Sequence, residues 1–191
     1  MPNELIRSFV AVDLNDDSVL HNITETQQAL LRTGTDLKLV EPQNIHITLR
    51  FLGEIRRERV EEVVEQMKQI QFPQFRASFR GLGVFPSLHR PTVVWIGIVE
   101  GADKLSRISQ HLERGLTAIG FQSDRRGFTP HLTIARVRSG RNRTELVQLV
   151  SDLQDKEFGS INVESIRLKK STLTPNGPIY SDLYKREGTS T

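Results

Sequence analysis

Two copies of one short pattern constrain this chain more than any other feature of its sequence. The segments His46-Ile47-Thr48-Leu49 and His131-Leu132-Thr133-Ile134 both read histidine, aliphatic, threonine, aliphatic. Each lies in a short apolar run that is typical of a β-strand. Because side chains alternate between the two faces of a strand, the histidine and threonine of each copy share one face and the aliphatic residues occupy the other. The sequence therefore predicts two strands that each have one polar face and one buried face.

The surroundings of the two motifs repeat at the same offset as the motifs themselves. The apolar run at 9–12 matches the run at 94–97, and a helical pattern follows each motif. Another helical pattern repeats as well, with Leu20, Ile23 and Leu31 matched by Leu105, Ile108 and Leu116. A single His-x-Thr triplet arises often by chance, but a pair with matching surroundings indicates an internal duplication. The duplicated halves are predicted at roughly 7–98 and 92–186.

The order of the predicted elements favours an α+β fold. Strands are predicted at 7–13, 37–40, 45–52, 75–84, 92–98, 131–137, 161–173 and 179–185, and helices from an N-cap at 15–17 to about 32 and at about 57–69, 102–119 and 142–153. This order predicts two pseudo-symmetric lobes with antiparallel sheets around a central cleft, where the two histidines would meet. Residues 1–191 then form a single bilobal domain with a frayed polar tail at 188–191. Phe9 and Trp95, in apolar strands, are expected to be core residues.

Composition limits both the chemistry and the compartment. Hydrophobic residues make up 37% and charged residues 26% of the 191 residues, which indicates a globular protein rather than a disordered chain. The absence of cysteine excludes thiolate nucleophiles, disulfides and cysteine-ligated metal centres. No segment has the pattern of a signal peptide or a membrane span, so we expect a cytoplasmic protein without a membrane partner. We also expect the protein to be a monomer. The net charge of +3 is compatible with an anionic substrate but does not by itself indicate nucleic-acid binding.

Two imidazoles and two hydroxyls supply the groups that metal-free acid–base chemistry on a phosphate ester requires. One histidine can take a proton from the nucleophile, the other can give one to the leaving oxygen, and the hydroxyls can hold phosphoryl oxygens. A free imidazole titrates near pH ~6.5, so both roles are available at neutral pH. No metal is expected, because threonine is a poor ligand and neither motif strand has a carboxylate on its histidine face. No cofactor is expected either, because a dinucleotide fingerprint, a P-loop and a serine-hydrolase elbow are all missing from the sequence.

The chain resembles the two-histidine (2H) phosphoesterase superfamily, and within it the RNA 2′,3′-cyclic phosphodiesterases, also known as 2′-5′ RNA ligases. The resemblance runs from Arg7 to about Arg186 and is carried by RSFVAV at 7–12, HITLRFLG at 46–53, FTPHLTIAR at 128–136 and PIY at 178–180. It implies the bilobal α+β fold and an enzyme that opens the 2′,3′-cyclic phosphate of an RNA end or nucleotide to a 2′-phosphomonoester. By the same resemblance, His131 is the general base that activates water, and His46 is the general acid that protonates the departing O3′. Thr48 and Thr133 complete the implied site.

Two arginines are further candidates for contacts with the substrate. Arg50 follows His46 by four residues, so ideal strand alternation places it on the histidine face, where it could bind a phosphate or the next nucleotide. A solvated arginine at the end of a strand is an equally good interpretation of Arg50. Arg136 follows His131 by five residues, so strict alternation places it on the opposite face, whereas the resemblance implies a phosphate contact. Both hold if the strand twists, bulges or ends at Ala135.

Two other functions remain open at this point. The same site could act as a 2′-5′ RNA ligase or on another phosphodiester substrate, because the central machinery would be identical and only the rim of the cleft would differ. A non-enzymatic protein could instead use the cleft to clamp RNA or phosphate, although the intact histidine and threonine in both motifs argue against a degenerate binder.

Overall fold

Helices pack on an antiparallel sheet, so the predicted α+β fold is confirmed. The computed structural model describes residues 4–124 and 127–190. Its elements are β1 Leu5–Asp13, α1 Asp17–Arg32, β2 Leu37–Leu39, β3 His46–Arg56, α2 Arg59–Lys68, β4 Phe75–Phe85, β5 Val93–Ile98, α3 Ala102–Ala118, β6 His131–Val137, α4 Arg143–Asp152, β7 Glu157–Val163, β8 Ser165–Thr174 and β9 Gly177–Glu187. Among the described residues, none of these helices is both long enough and apolar enough to span a membrane.

One antiparallel sheet joins two lobes. Its strand order is β7-β4-β5-β6-β3-β1-β8-β9, with β2 paired to β6. Helices α2 and α3 pack on the lobe formed by β3, β1, β8 and β9, whereas α1 and α4 pack on the lobe formed by β6, β5, β4 and β7. The lobes meet where β3 lies beside β6. Each lobe takes elements from both halves of the chain, because β4 and β5 join β6 while β8 and β9 return to β1.

The buried face of each motif strand forms part of the core. Ile47, Leu49, Leu132 and Ile134 are all buried and belong to one continuous cluster with the apolar faces of the helices. Burial of each aliphatic side chain contributes on the order of 1.5–3 kcal/mol, which fixes which face of the strand turns inward. The histidine and threonine side chains are thereby directed to the face that the helices do not cover.

A β-bulge interrupts each motif strand directly after its threonine. In the pairing of β1 with β3, Thr48 faces Ala11 and Arg50 faces Val10, so Leu49 is an extra residue. In the pairing of β5 with β6, Thr133 faces Trp95 and Ala135 faces Val94, so Ile134 is the extra residue. An extra residue shifts the alternation of the side chains that follow it. The residues beyond each bulge therefore exchange faces relative to an ideal strand.

The final third of the chain differs from the sequence prediction in two places. The segment predicted as one strand at 161–173 is divided at Glu164, because β7 pairs with β4 in one lobe and β8 pairs with β1 in the other. The predicted frayed tail at 188–191 is wrong for its described part. Thr189 donates its backbone N–H to the carbonyl of Phe72 at 2.9 Å and accepts from the N–H of Gln74 at 2.9 Å. These hydrogen bonds join backbone atoms, so the polar side chains of the segment could not predict them. Thr191 lies outside the described residues.

Candidate active site

The two motifs lie side by side where the lobes meet. Ile47 of β3 pairs with Leu132 of β6, and this antiparallel register sets His46 opposite Thr133 and Thr48 opposite His131. All four polar side chains are partly exposed on the face that the helices leave uncovered. The histidines are close enough for His131 to lower the pKa of His46 electrostatically. The structure thus brings both imidazoles and both hydroxyls to one region of the cleft.

Each histidine is oriented by the same local hydrogen bond. Nδ1 of His46 lies 2.7 Å from the carbonyl oxygen of Asn44, and Nδ1 of His131 lies 2.6 Å from the carbonyl oxygen of Thr129. A carbonyl oxygen can only accept, so each Nδ1 carries a hydrogen and donates it, which leaves Nε2 as the variable position. At Nε2 a neutral imidazole accepts a proton and a protonated one donates it. The two imidazoles can therefore serve as base and acid through Nε2 without a flip of either ring.

Burial lowers the pKa of both histidines below the usual value for an imidazole. For His46, burial is the largest cause, the Asn44 carbonyl and the Asp13 carboxylate oppose it, and Lys169 and His131 add to the lowering. For His131, burial is again the largest cause and the carbonyl of Thr129 opposes it. Because a buried imidazolium loses hydration, both rings are mainly neutral at pH 7 and become protonated only at lower pH.

The His46 ring is held between two aromatic side chains of its own lobe. Phe9 of β1 stacks on it with ring centroids 4.8 Å apart, and Tyr180 of β9 meets it edge-on at 5.4 Å. Phe9 is buried, as the sequence predicted for a core residue, but it also forms one wall of the site. The sequence predicted only a core role for Phe9 and missed its contact with His46. An apolar strand pattern does not show which side chains of other strands lie against it.

The His131 ring has a different aromatic setting. Phe85 of β4 approaches it edge-on at 5.1 Å, and Trp95 of β5 lies 6.3 Å away. Trp95 faces the cleft beside Thr133 rather than the core between helices and sheet, so the prediction of a core tryptophan is corrected. Its indole packs against Gly83, where a Cβ would be only 2.2 Å from the nearest ring atom. The glycine therefore makes room for the wall that supports His131.

The bulge at Ile134 determines the position of Arg136. Beyond the bulge the alternation is shifted, so Arg136 returns to the histidine face. It is exposed, and none of the described carboxylates forms an ion pair with it. Burial raises the pKa of the Tyr180 hydroxyl, and the positive charge of Arg136 opposes this rise, which places the guanidinium near the His46 side of the cleft. Arg136 therefore remains a candidate for contact with an anionic substrate.

The equivalent bulge at Leu49 turns Arg50 away from His46. The Nε of Arg50 lies 2.7 Å from a carboxylate oxygen of Glu113 in α3, and its other nitrogens donate to the carbonyls of Phe51 and Gln122. The side chain is 10% exposed. The expected placement of Arg50 on the histidine face is wrong, because ideal alternation does not apply across a bulge. A contact with substrate would require the guanidinium to leave all of these partners.

A charge cluster beside His46 was not anticipated from the sequence. Asp13, at the end of β1, pairs with His46 across the sheet. Lys169 of β8 contacts Asp13 at 2.8 Å and Asp182 of β9 at 2.7 Å. Strand alternation alone cannot find such a cluster, because its members lie at opposite ends of the chain. In the described part of the chain, no group of three or more His, Cys, Asp or Glu side chains is placed to hold a metal ion.

Comparisons with known proteins agree on one family. The model of the LigT like phosphoesterase family matches residues 12–95 and again 96–180. A curated protein of Aeropyrum pernix named RNA 2′,3′-cyclic phosphodiesterase is 44% identical over 88% of this chain and 96% of its own. One of the same name from Archaeoglobus fulgidus is 40% identical over 93% of this chain and 98% of its own.

Solved structures share the fold. A protein of Thermus thermophilus superimposes with a TM-score of 0.77 at 28% identity, covering 95% of this chain and 97% of its own. E. coli LigT, solved in complex with 3′-AMP, superimposes with a TM-score of 0.81 at 22% identity, covering 97% of this chain and 99% of its own. The bilobal architecture is therefore shared with these two proteins.

Proposed function

Because this chain belongs to the LigT like phosphoesterase family, we propose that it is an RNA 2′,3′-cyclic phosphodiesterase that hydrolyses terminal cyclic phosphates to 2′-phosphomonoesters. Its substrates are RNA ends or nucleotides that carry a 2′,3′-cyclic phosphate. The observation that carries the proposal is the pair of imidazoles, each held through Nδ1 by a backbone carbonyl with Nε2 left for chemistry. The names of relatives that cover most of the chain support the choice of substrate.

The reaction needs one proton to be removed and one to be delivered. Nε2 of neutral His131 takes a proton from water, whose oxygen attacks the phosphorus and forms a new P–O bond. The bond between phosphorus and O3′ breaks, and O3′ receives the proton from Nε2 of protonated His46. The products are a 2′-phosphomonoester and a free 3′-hydroxyl. His131 ends protonated and His46 ends neutral, so proton exchange with solvent restores the starting state.

The remaining groups of the site stabilise the negative charge on the phosphoryl oxygens. The hydroxyls of Thr48 and Thr133 lie beside the two imidazoles and can each donate one hydrogen bond to a non-bridging oxygen. Arg136 adds a positive charge on the same face. Neither metal nor cofactor has a step in this proposal, because histidines supply both proton transfers. Arg50 is left out of the substrate contacts, since its guanidinium is engaged elsewhere.

The proposal is tested with a 2′,3′-cyclic mononucleotide and an RNA oligonucleotide ending in a 2′,3′-cyclic phosphate, both in excess EDTA. We expect turnover of both, with the 2′-phosphate as product, identified by ³¹P NMR against 2′- and 3′-phosphate standards. A 3′-phosphate product would contradict the assigned leaving group, and loss of turnover in EDTA would contradict metal-free catalysis. Binding of the RNA without any turnover would favour the phosphate-clamp alternative.

A second arm of the experiment separates hydrolysis from ligation. An RNA with a free 5′-hydroxyl is added, because the same acid and base would serve if that hydroxyl replaced water as the nucleophile. We expect hydrolysis to be faster than ligation when the concentration of the 5′-hydroxyl RNA is low.

The proposal also takes the protein to be a cytoplasmic monomer, and light scattering in solution should give the mass of one chain, 21.7 kDa.

A further inference from the structure

The two motifs are equivalent in sequence, but their neighbours in the sheet are not. His46 pairs with Asp13 on the adjacent strand, whereas His131 pairs with Gly97. A Cβ at Gly97 would lie 2.8 Å from the backbone carbonyl oxygen of Arg80, so strand β4 leaves no room for a side chain there. One histidine therefore has a carboxylate as its cross-strand neighbour and the other has none.

The carboxylate beside His46 is fixed by two cations. Nζ of Lys169 lies 2.8 Å from one oxygen of Asp13 and 3.0 Å from the other, and it also contacts Asp182 at 2.7 Å. Nε of Arg167 lies 3.1 Å from Asp13 and its guanidinium also pairs with Asp182. Lys169 is only 8% exposed, so this is a partly buried network rather than a solvated surface pair. Such a network holds the Asp13 carboxylate in one place.

We propose that Asp13, held by Lys169, is a positioning residue that acts through His46 and makes the two histidines of the duplicated site unequal. This inference rests on the proposed function, in which one ring must start protonated and the other neutral. The Asp13 carboxylate stabilises an imidazolium at His46, whereas the cross-strand neighbour of His131, Gly97, has no side chain that could do the same. Lys169 limits this effect by neutralising part of the charge.

The surroundings of His46 indicate that Asp13 and Lys169 affect its pKa in opposite directions. The charged or titratable groups around it are Asp13 of β1, Lys169 and Arg167 of β8, Tyr180 and Asp182 of β9, and His131 and Arg136 of β6. Among these, Asp13 raises the pKa of His46, and Lys169 and His131 lower it, on top of the larger lowering by burial. For His131, burial is the largest cause of the lowered pKa, the Thr129 carbonyl opposes it, and no carboxylate of the described residues is among the causes. Removing Asp13 and removing Lys169 should therefore shift the titration of His46 in opposite directions.

The test compares Asp13→Asn with Lys169→Met in the full-length protein. The titration of the His46 ring is followed by ¹H–¹³C NMR, with its signal among the 5 histidines identified by its loss in His46→Gln. We expect Asp13→Asn to move the His46 titration to lower pH and Lys169→Met to move it to higher pH, while that of His131 moves less. In the pH profile of kcat/KM, the limb set by the acid should move in the same two directions. Each unit of movement changes the rate on that limb by about tenfold.

Matched controls separate this effect from a general loss of charge or of structure. Asp155→Asn removes one negative charge from an exposed pair with Arg80 and should leave both titrations unchanged. Asp13→Glu keeps the carboxylate, so the His46 ring should titrate at nearly the wild-type pH. The comparison of Asp13→Asn with Asp13→Glu also tests the inference if Lys169→Met does not fold. Shifts of the same sign in Asp13→Asn and Lys169→Met, or an Asp13→Asn titration equal to wild type, would overturn the inference. The NMR titration does not need turnover, so it is independent of whether the proposed function holds.

Discussion

Gly83 is the position where a single methyl group should disturb the site most directly. A Cβ built there would lie 2.2 Å from Cζ2, 2.3 Å from Cη2 and 2.6 Å from Cε2 of Trp95. Carbon atoms in contact are separated by about 3.5–4.0 Å, so the indole must move by more than about 1 Å in Gly83→Ala. The backbone cannot yield easily, because Gly83 pairs with Trp95 itself in the ladder of β4 and β5.

The displaced indole has a defined set of neighbours. Phe85 lies 5.0 Å from it and His131 lies 6.3 Å from it, as measured between ring centroids. Overpacking of this kind costs roughly 1–3 kcal/mol of unfolding free energy. A catalytic group displaced by about 1 Å can lose on the order of 10²-fold in rate. We expect Gly83→Ala to lower both the stability, by about 1–3 kcal/mol, and kcat/KM, by roughly 10-fold to 100-fold.

Trp95 is the only tryptophan in the chain, so tryptophan emission reports on the surroundings of this one indole. The emission spectrum, the urea midpoint and the turnover of Gly83→Ala should all differ from wild type. Gly140→Ala is the matched control, because a Cβ there meets nothing within 4 Å, and it should leave all three unchanged. A Gly83→Ala protein with wild-type emission and an unchanged midpoint would refute the reasoning.

Three further expectations follow from the site. Because burial lowers the pKa of both His46 and His131, the bell-shaped profile of kcat/KM should have its maximum below about pH 6.5, and a flat profile from pH 5 to 9 would contradict it. The same shifts mean that the unfolded chain binds more protons below about pH 6.5, so urea titrations should show stability decreasing as the pH falls through this range, and less so in His46→Gln. Thr48→Val and Thr133→Val should each cost about 1.5–3 kcal/mol of transition-state stabilisation in kcat/KM. Arg136→Ala should lie between these variants and the histidine variants, and a wild-type kcat/KM in Arg136→Ala would show that the arginine does not contact the substrate.

The core of the fold could be predicted because it depends on local patterns. The alternation around Ile47 and Leu132 predicts which faces are buried, and the helical spacing predicts the elements that cover them. The division at Glu164 was missed because the two polar residues Glu164 and Ser165 fit a bulge within one strand as well as a break between two. Only the different partners of β7 and β8 distinguish the two cases. The contacts of Thr189 involve backbone atoms, to which the sequence gives no residue-specific signal.

The site was predictable to the extent that ideal strand geometry applies. It holds from His46 to Thr48 and from His131 to Thr133, and there the structure brings the side chains together. Ideal alternation fails one residue later, at the bulges, because a bulge depends on how a strand pairs with its neighbours. The prediction for Arg50 was wrong for this reason. The ion pair of Asp13 with Lys169 joins distant parts of the sequence, so no spacing rule could reveal it.

The central claim is that His46 and His131 act together on one phosphate. The most direct measurement is the kcat of His46→Ala, His131→Ala and the double variant on a 2′,3′-cyclic nucleotide, with circular dichroism to confirm that each is folded. Each single variant should lose about 10²–10⁴-fold. Because both groups act in one transition state, the double variant should be little worse than the poorer single variant. Near-normal turnover in either single variant, or losses that multiply in the double variant, would contradict the account.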